Sequence, residues 1–325
     1  MGKSFATESK DLIKQNFIMT ENSKNKKLYG LLGRNINYSL SPAMHNAAFR
    51  HFNIPAEYAI FDKEPNELND FFKNEVLTGK IAGLNVTVPY KLDVKKMLEE
   101  DFSKSSDGFE ALAKMTGAVN TITINNGRVK GYNTDAPGFI TSISVDAGYG
   151  SRQGNENVFV AGAGGGSHAV CFILAFQSRK PKNIYVYDPE KVKTDTLKTN
   201  FENARSKFSD IPDILRIISL DERENIVKDC NLIVNTTPLG THEGDPMPIP
   251  SEWLKPGLTV YDLVYARETE LVRAAKEKGL RASGGLGMLV GQAAQAFYLW
   301  ENKPFIEVRE IMKQAALKEL AKRKA

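Results

Sequence analysis

Two short windows in the first half of the chain each deliver an ionisable residue just past a β-like run. They are Asn85-Val86-Thr87-Val88-Pro89-Tyr90-Lys91 and Gly131-Tyr132-Asn133-Thr134-Asp135. A lysine beside a carboxylate at the mouth of a sheet can pass a proton to or from a substrate oxygen. Downstream, Val158-Phe159-Val160-Ala161 runs into Gly162-Ala163-Gly164-Gly165-Gly166-Ser167, a strand opening through glycines into a helix. Such a turn can hold a pyrophosphate, because glycine permits close approach and the helix N-terminus favours an anion. The strict G-x-G-x-x-G pattern would need glycine where Ser167 stands, so the flanking strand and helix carry the dinucleotide reading. The bland alternative is a glycine-rich loop needed only for tight helix–sheet packing. A proton relay next to a hydride carrier points to alcohol–ketone oxidoreduction.

The strand after the glycine turn ends at Tyr187-Asp188. An acid there would accept bonds from the adenosine ribose hydroxyls and repel a 2′-phosphate. No arginine follows closely, and the nearby bases are Lys191 and Lys193. NAD(H) is therefore expected over NADP(H), with NADP(H) left open. Asp188 could also cap the following helix ahead of Pro189.

The elements that must position these residues can be read from periodicity. In the first half, strands are expected at 28–33, 56–61 and 83–88. A helix is expected from 41 to 52 with Ser41 as N-cap and Pro42 first in the helix. Residues 67–77 have helical spacing, and Pro89 should open another helix. Asn125-Asn126-Gly127 signals a hairpin between 118–124 and 128–131, and 99–108 reads as a polar surface loop. From about residue 135 the pattern becomes alternating helix and strand. Helices are expected at 137–146, 167–178 and 190–208, and strands at 157–161, 183–187, 215–218, 232–235 and 259–263. The chain then closes with helices at 288–300 and 306–321. Alternation of this kind argues for a doubly wound parallel sheet. The expected division is an extension at 1–27, a substrate-binding catalytic α/β domain at 28–135 completed by 288–325, and a Rossmann-like dinucleotide-binding domain at 136–287. A cleft should separate the domains.

Bulk properties agree with an ordinary globular enzyme. The chain has 325 residues, 42% apolar and 25% charged, with net charge +4. That balance, without a long basic run, favours no nucleic acid. Lys318, Lys322, Arg323 and Lys324 read as a solvated helix end rather than a binding patch. Cys171 and Cys230 lack partners at metal-ligand spacing and read as buried thiols in a reducing compartment. With four histidines and two cysteines, no metal site is expected. His45 is read as packed or solvent-facing in its helix, and His168 as close to a cofactor phosphate. No secretory h-region or apolar run of about 18 residues is present, so a cytoplasmic monomer or homodimer is expected.

With the polar residues in view, the chain resembles the shikimate dehydrogenase family, including its quinate/shikimate-using branch. The resemblance runs from about Tyr29 to Trp300 and rests on motifs in order. These include Ser39-Leu40-Ser41-Pro42-Ala43-Met44-His45-Asn46, the two windows above, and Gly117-Ala118-Val119-Asn120-Thr121. They continue with Asn235-Thr236-Thr237-Pro238-Leu239-Gly240 and Gly285-Leu286-Gly287-Met288-Leu289-Val290-Gly291-Gln292. The resemblance implies reversible NAD(P)H-dependent reduction of 3-dehydroshikimate to shikimate, a step toward aromatic amino acids. It implies Lys91 and Asp135 as the catalytic pair. Ser39, Ser41 and Tyr265 would meet the substrate carboxylate, and Thr87, Asn120 and Gln292 its ring hydroxyls. Leu263 and Gly285 would line the nicotinamide pocket, with Thr236 near the cofactor ribose.

The chain departs from the family pattern in four places, one of them the stretch 99–108, which is longer and more polar than typical. Tyr38 stands where histidine usually precedes the first serine. Ala266-Arg267 replaces Asn-Pro after Tyr265. The usual Asn-Arg-Thr after the second Rossmann strand is absent, with Asp188-Pro189 in that region. In this family NAD use tends to accompany quinate oxidation, so an NAD-dependent quinate/shikimate dehydrogenase is the nearest alternative. A non-catalytic nicotinamide-binding regulator is a distant one, since it would need no acid–base pair. A folate-linked dehydrogenase shares the two-domain plan but not the substrate motifs.

Overall fold

The computed structural model describes residues 26–149, 154–177 and 179–324. The expected N-terminal extension lies outside these except for Lys26 and Lys27, and Lys27 already begins the first strand.

Strands β1 (Lys27–Gly33), β2 (Ala56–Asp62), β3 (Gly83–Val86), β4 (Ser106–Phe109), β5 (Thr121–Asn125) and β6 (Arg128–Tyr132) form a mixed sheet. Its order is β2-β1-β3-β5-β6-β4. β1 is parallel to β2 and β3, whereas β3, β5 and β6 are antiparallel neighbours. The β5–β6 hairpin turns on Asn126 and Gly127, both at positive φ, as a two-residue type I′ loop requires. Helices α1 (Ser41–His51), α2 (Lys91–Glu99) and α3 (Ala111–Thr116) accompany this sheet.

The second sheet is wholly parallel. Strands β7 (Asn157–Ala161), β8 (Asn183–Tyr187), β9 (Leu215–Ile217), β10 (Leu232–Asn235), β11 (Thr259–Asp262) and β12 (Arg281–Ser283) lie in the order β12-β11-β10-β7-β8-β9. The order reverses between β7 and β10, the switch point at which doubly wound sheets bind ligands. Helices α4 (Asp135–Val145), α5 (Gly165–Phe176), α6 (Lys191–Lys207), α7 (Arg223–Asp229) and α8 (Glu270–Glu277) belong to this half. The central strands are buried on both faces over most of their length, which is why their middles read as apolar rather than alternating. Cys171 and Cys230 are buried here, and burial pushes each thiol up to about 12. Both act as small packing residues.

Two long helices, α9 (Leu286–Glu301) and α10 (Phe305–Lys324), return from the second sheet to the first. Val290 and Phe297 of α9 and Val308 and Met312 of α10 share one core with Tyr29, Met44 and Phe49. Each such buried large side chain contributes about 1.5–3 kcal/mol. α9 also crosses α4 with backbones almost touching. A Cβ on Gly138 would lie 2.7 Å from the Gln292 amide, and one on Gly291 would lie 3.1 Å from the Gly138 Cα. Nearby, Tyr261 donates to Ser142 (2.7 Å), Ser142 to Asp146 (2.7 Å), and Arg309 of α10 also to Asp146 (2.6 Å). Among the described residues no helix is long and apolar enough to cross a membrane.

Several expectations are corrected. The polar stretch 99–108 is not simply a loop. It holds a 3-10 turn (Ser103–Ser105) and enters β4, which pairs with β6. Arg128 of β6 holds this edge through Asp107 (2.5 Å), a pairing that local sequence cannot reveal. Residues 67–77 do not form one regular helix but pass through 3-10, α and π geometry in succession. The third strand stops at Val86, and the helix expected at Pro89 begins at Lys91 after a cis Val88–Pro89 bond. Leu40, not Ser41, precedes α1, and Ser41 makes no cap bond. Asp188 is not a helix N-cap either; Glu190 holds that position. Helices α3, α7 and α8 and strand β12 were not expected. The far end of the expected 167–178 helix, Ser178, lies outside the described residues.

Candidate active site

Lys91 and Asp135 meet because each is the first residue of a helix that leaves the same end of the first sheet. α2 follows β3 and α4 follows β6. The Lys91 ammonium lies 2.5 Å from Asp135 Oδ2, with 29% and 14% of the two side chains exposed. The carboxylate sits in the first turn of α4, where the positive end of the helix favours it. The pair opens on a cavity of about 250 Å³ between the two sheets.

The wall of that cavity gathers the sequence-expected substrate residues. Ser39, Ser41 and Tyr265 lie on it, as do Thr87, Asn120 and Gln292. Ser39 Oγ accepts from the Ser41 amide (3.2 Å), and the two hydroxyls are 3.2 Å apart. Ser41 is thus occupied at the cavity rather than at the helix end, the physical reason it does not cap α1. Asn120 accepts from the Thr134 amide (2.7 Å) and donates to Thr134 Oγ1 (3.0 Å). It fixes the turn before Asp135 while lining the cavity. The Leu263–Tyr265 loop, followed by Ala266-Arg267, is anchored at Asp262. Buried Asp262 accepts from the Val264 amide (3.0 Å), Thr269 (2.7 Å) and Asn235 (2.9 Å). Burial raises that carboxyl, and the three bonds oppose the rise.

Three residues that sequence reasoning missed tie this wall together. Tyr58, on β2, donates to Asn85 Oδ1 (2.7 Å), and Asn85 Nδ2 donates to Thr121 Oγ1 (2.9 Å). Thr121 Oγ1 then donates to Asn120 Oδ1 (3.1 Å). Burial holds the Tyr58 phenol well above its ordinary range, with the Ser41 hydroxyl pulling the other way. A buried chain of hydrogen bonds therefore runs under the cavity floor from the serine end to the Asp135 end, and such satisfied networks fix side chains in place. Asn85 also lines the cavity. A polar residue inside the short buried strand Gly83–Val86 was the available signal. His45 lies flat against Tyr58 (4.2 Å between centroids, 2° between planes) and is fully buried. It is a packed residue.

The glycine turn lies beside the same cavity. Gly162 takes φ 97°, and a Cβ there would sit 2.8 Å from Thr236 Oγ1. Thr236 itself donates to the Ala161 carbonyl (2.7 Å). At Gly164 and Gly165, where α5 starts, a Cβ would meet nothing within 4 Å, so open space lies above the helix N-terminus. A Cβ on Gly166 would be 3.0 Å from Leu263 Cδ2, and one on Gly285 would be 2.1 Å from the Leu263 carbonyl. Leu263 and Gly285 also line the cavity, so they join it to the glycine turn. The arrangement suits a dinucleotide with its pyrophosphate on the turn and its nicotinamide toward Lys91. Asp188 ends β8 and braces the turn, accepting from the Ala163 amide (2.9 Å) and the Glu190 amide (2.9 Å). His168 is turned to the Gly164 carbonyl (2.9 Å) and to Asn200 (3.3 Å).

Comparisons with known proteins agree with this geometry. Residues 31–122 match the family model described as shikimate dehydrogenase substrate binding domain. The chain is 35% identical over 280 residues to shikimate dehydrogenase (NADP(+)) of Geobacillus kaustophilus, covering 86% of this chain and 94% of that one. The crystal structure of shikimate dehydrogenase from Aquifex aeolicus superposes with a TM-score of 0.73 at 32% identity, covering 88% of this chain and 97% of that one. Quinate dehydrogenase from Corynebacterium glutamicum in complex with NAD superposes with a TM-score of 0.76 at 26% identity, covering 88% and 98%. With identity at that level across nearly the whole length of its relatives, this chain belongs to the shikimate dehydrogenase family.

Proposed function

We propose that this chain is a shikimate dehydrogenase that interconverts 3-dehydroshikimate and shikimate with a nicotinamide dinucleotide. The Lys91–Asp135 pair on the cavity wall, 2.5 Å apart, carries the reading. Residues 28–135, completed by 288–325, hold the substrate, and residues 136–287 hold the cofactor. Ser39, Ser41 and Tyr265 receive the carboxylate, while Thr87, Asn120 and Gln292 bond ring hydroxyls. Uncharged donors suit such a ligand, because a buried polar pair rejects an analogue lacking the hydroxyl. Leu263 and Gly285 would line the nicotinamide site and Gly162–Gly166 would take the pyrophosphate, and the cofactor bound there would supply or accept the hydride at the substrate C3. In the reductive direction Lys91 gives a proton to the C3 oxygen as it becomes a hydroxyl. In the oxidative direction it takes that proton back. Asp135 orients the amine in both.

The cofactor assignment is NAD(H). Asp188 places a carboxylate at the end of β8 where a 2′-phosphate would have to sit. The nearby bases are already engaged, Lys191 by Asp195 (2.7 Å) and Lys193 by Glu190 (2.5 Å). The Geobacillus relative carries NADP(+) in its name, and the quinate dehydrogenase was solved with NAD. That second likeness, together with Asp188, supports a second reading in which quinate is also oxidised. One experiment tests both: kcat/KM for shikimate and for quinate, each with NAD+ and NADP+. Turnover of shikimate with NAD+ ahead of NADP+ is expected. A clear NADP+ advantage overturns the cofactor assignment, and no turnover of either acid overturns the activity.

A further inference from the structure

Arg323 lies in the last turn of α10, where the basic residues were expected to be solvated. Lys318, Lys322 and Arg323 are all exposed, but Arg323 also reaches across to the first sheet. Its guanidinium donates to the Tyr38 carbonyl and to the Ser39 carbonyl (3.3 Å). Its Nε donates to Glu319 (3.2 Å), one turn earlier on the same helix. The guanidinium is thus a fork held at one edge by its own helix and closed at the other on the loop that carries Ser39. The flanking residue Tyr38 is 59% exposed. The start of the loop is tied to Asp62 of β2, which accepts from the Asn35 amide (2.9 Å) and the Ile36 amide (3.4 Å), and within the loop the Ser39 amide donates to the Ile36 carbonyl (2.9 Å). Arg323 also lies near Tyr265, whose phenol is raised by burial and by Tyr38 and lowered by Arg323. Among the described residues lining the cavity, Lys91 is the one cation, and Asp135 engages it at the opposite role.

We propose that Arg323 is a positioning residue for the carboxylate end of the substrate, acting through the two loop carbonyls to fix Ser39, and through Ser39 the neighbouring Ser41. A planar fork can hold two adjacent carbonyls at once, whereas an ammonium offers no such paired geometry. The proposal rests on the shikimate dehydrogenase reading, because it assumes a ring acid whose carboxylate docks at Ser39 and Ser41. It also gives α10 a function: the helix that closes the core of the first sheet also sets the shape of one end of the cavity.

The test compares wild type, Arg323→Lys and Arg323→Gln in full-length protein, with shikimate and with the dinucleotide varied separately. The Gln variant is expected to raise the KM for shikimate roughly tenfold, the scale of lost charge-assisted hydrogen bonds. Its kcat should stay within about threefold and its KM for the dinucleotide should not move, because orientation of the carboxylate is uniform binding. The Lys variant should fall between the two. An unchanged shikimate KM in the Gln variant overturns the inference. So does a parallel loss of dinucleotide affinity or of several degrees in Tm, which would mark a general loosening of α10. Wild-type turnover of shikimate is measured first. Its absence would sink the proposed function, whereas its presence with an unmoved KM sinks only the role of Arg323.

Discussion

At the scale of single residues, the proposed chemistry concentrates in a lysine and an aspartate, and one buried histidine adds to the fold's response to acid. On the proposed mechanism, removing the Lys91 amine takes away the group that exchanges the proton with the C3 oxygen. Lys91→Ala should lower kcat by about 10²–10⁴-fold, the usual worth of general acid–base help, with a modest change in KM. Steady-state kinetics with an unchanged circular-dichroism spectrum would check it; near-normal turnover would remove the mechanism. His45 predicts a different observable. Full burial lowers its pKa from 6.5 to about 3, and neither ring nitrogen has a partner. The unfolded chain therefore takes up the proton first as pH falls. Stability from this residue is complete above pH 6.5 and is lost on acidification toward pH 3. The slope it contributes is about 1.4 kcal/mol per pH unit across that window. His45→Phe should flatten the pH dependence of urea unfolding between pH 6 and 4 by roughly that amount. Lys91 and Asp135 were legible in the sequence because each stands just past a strand, whereas Ser39, Ser41, Thr87, Asn120, Tyr265 and Gln292 were singled out by the family resemblance, and Asn85, which also lines the cavity, was missed. Tyr58 and Arg323 were not legible. Tyr58 sits in an alternating strand like any core tyrosine, and Arg323 meets its partners 284 and 285 positions away.

Secondary-structure elements were legible in proportion to how far they satisfy themselves. β7, β10 and β11 have apolar, buried centres and lie within a few residues of their expected bounds. β4 and β12, at four and three residues, exist because a neighbouring strand pairs with them, and their sequences carry no period. α8 did carry a signal that was missed: Thr269 caps it by accepting from the Val272 amide (3.3 Å), and Leu271, Val272 and Ala275 are buried. The α4–α9 crossing is the element-scale feature with the sharpest consequence. At Gly138 a side chain would press on the Gln292 amide and the Met288 carbonyl, at 2.7 and 2.9 Å. These are backbone atoms that cannot rotate away. Gly138→Val should cost about 1–3 kcal/mol or more through overpacking, read as a lower Tm. It should also raise the KM for substrate, because Gln292 is carried on the same helix; an unchanged Tm would mean that the helices can part without cost.

The molecule as a whole is two sheets sharing a cavity, and most of that plan follows from the switch from mixed to strictly alternating patterning near residue 135. What could not be read was the closeness of the halves. The contact between α4 and α9, and the ties to Asp146 from Tyr261 through Ser142 and from Arg309 directly, depend on residues that look unremarkable in their own windows. The return of the last two helices has a consequence for biosynthesis. A chain emerging from the ribosome presents β1, β2 and α1 long before Val308 and Met312 exist to cover Tyr29, Met44 and Phe49. The second sheet draws its strands and crossover helices from one continuous stretch and can form as soon as that stretch has emerged. The first must wait with a bare apolar flank until translation has passed the α10 codons. The half of the protein made first is thus finished last, and nascent chains stalled before α10 are the species most in need of chaperone cover.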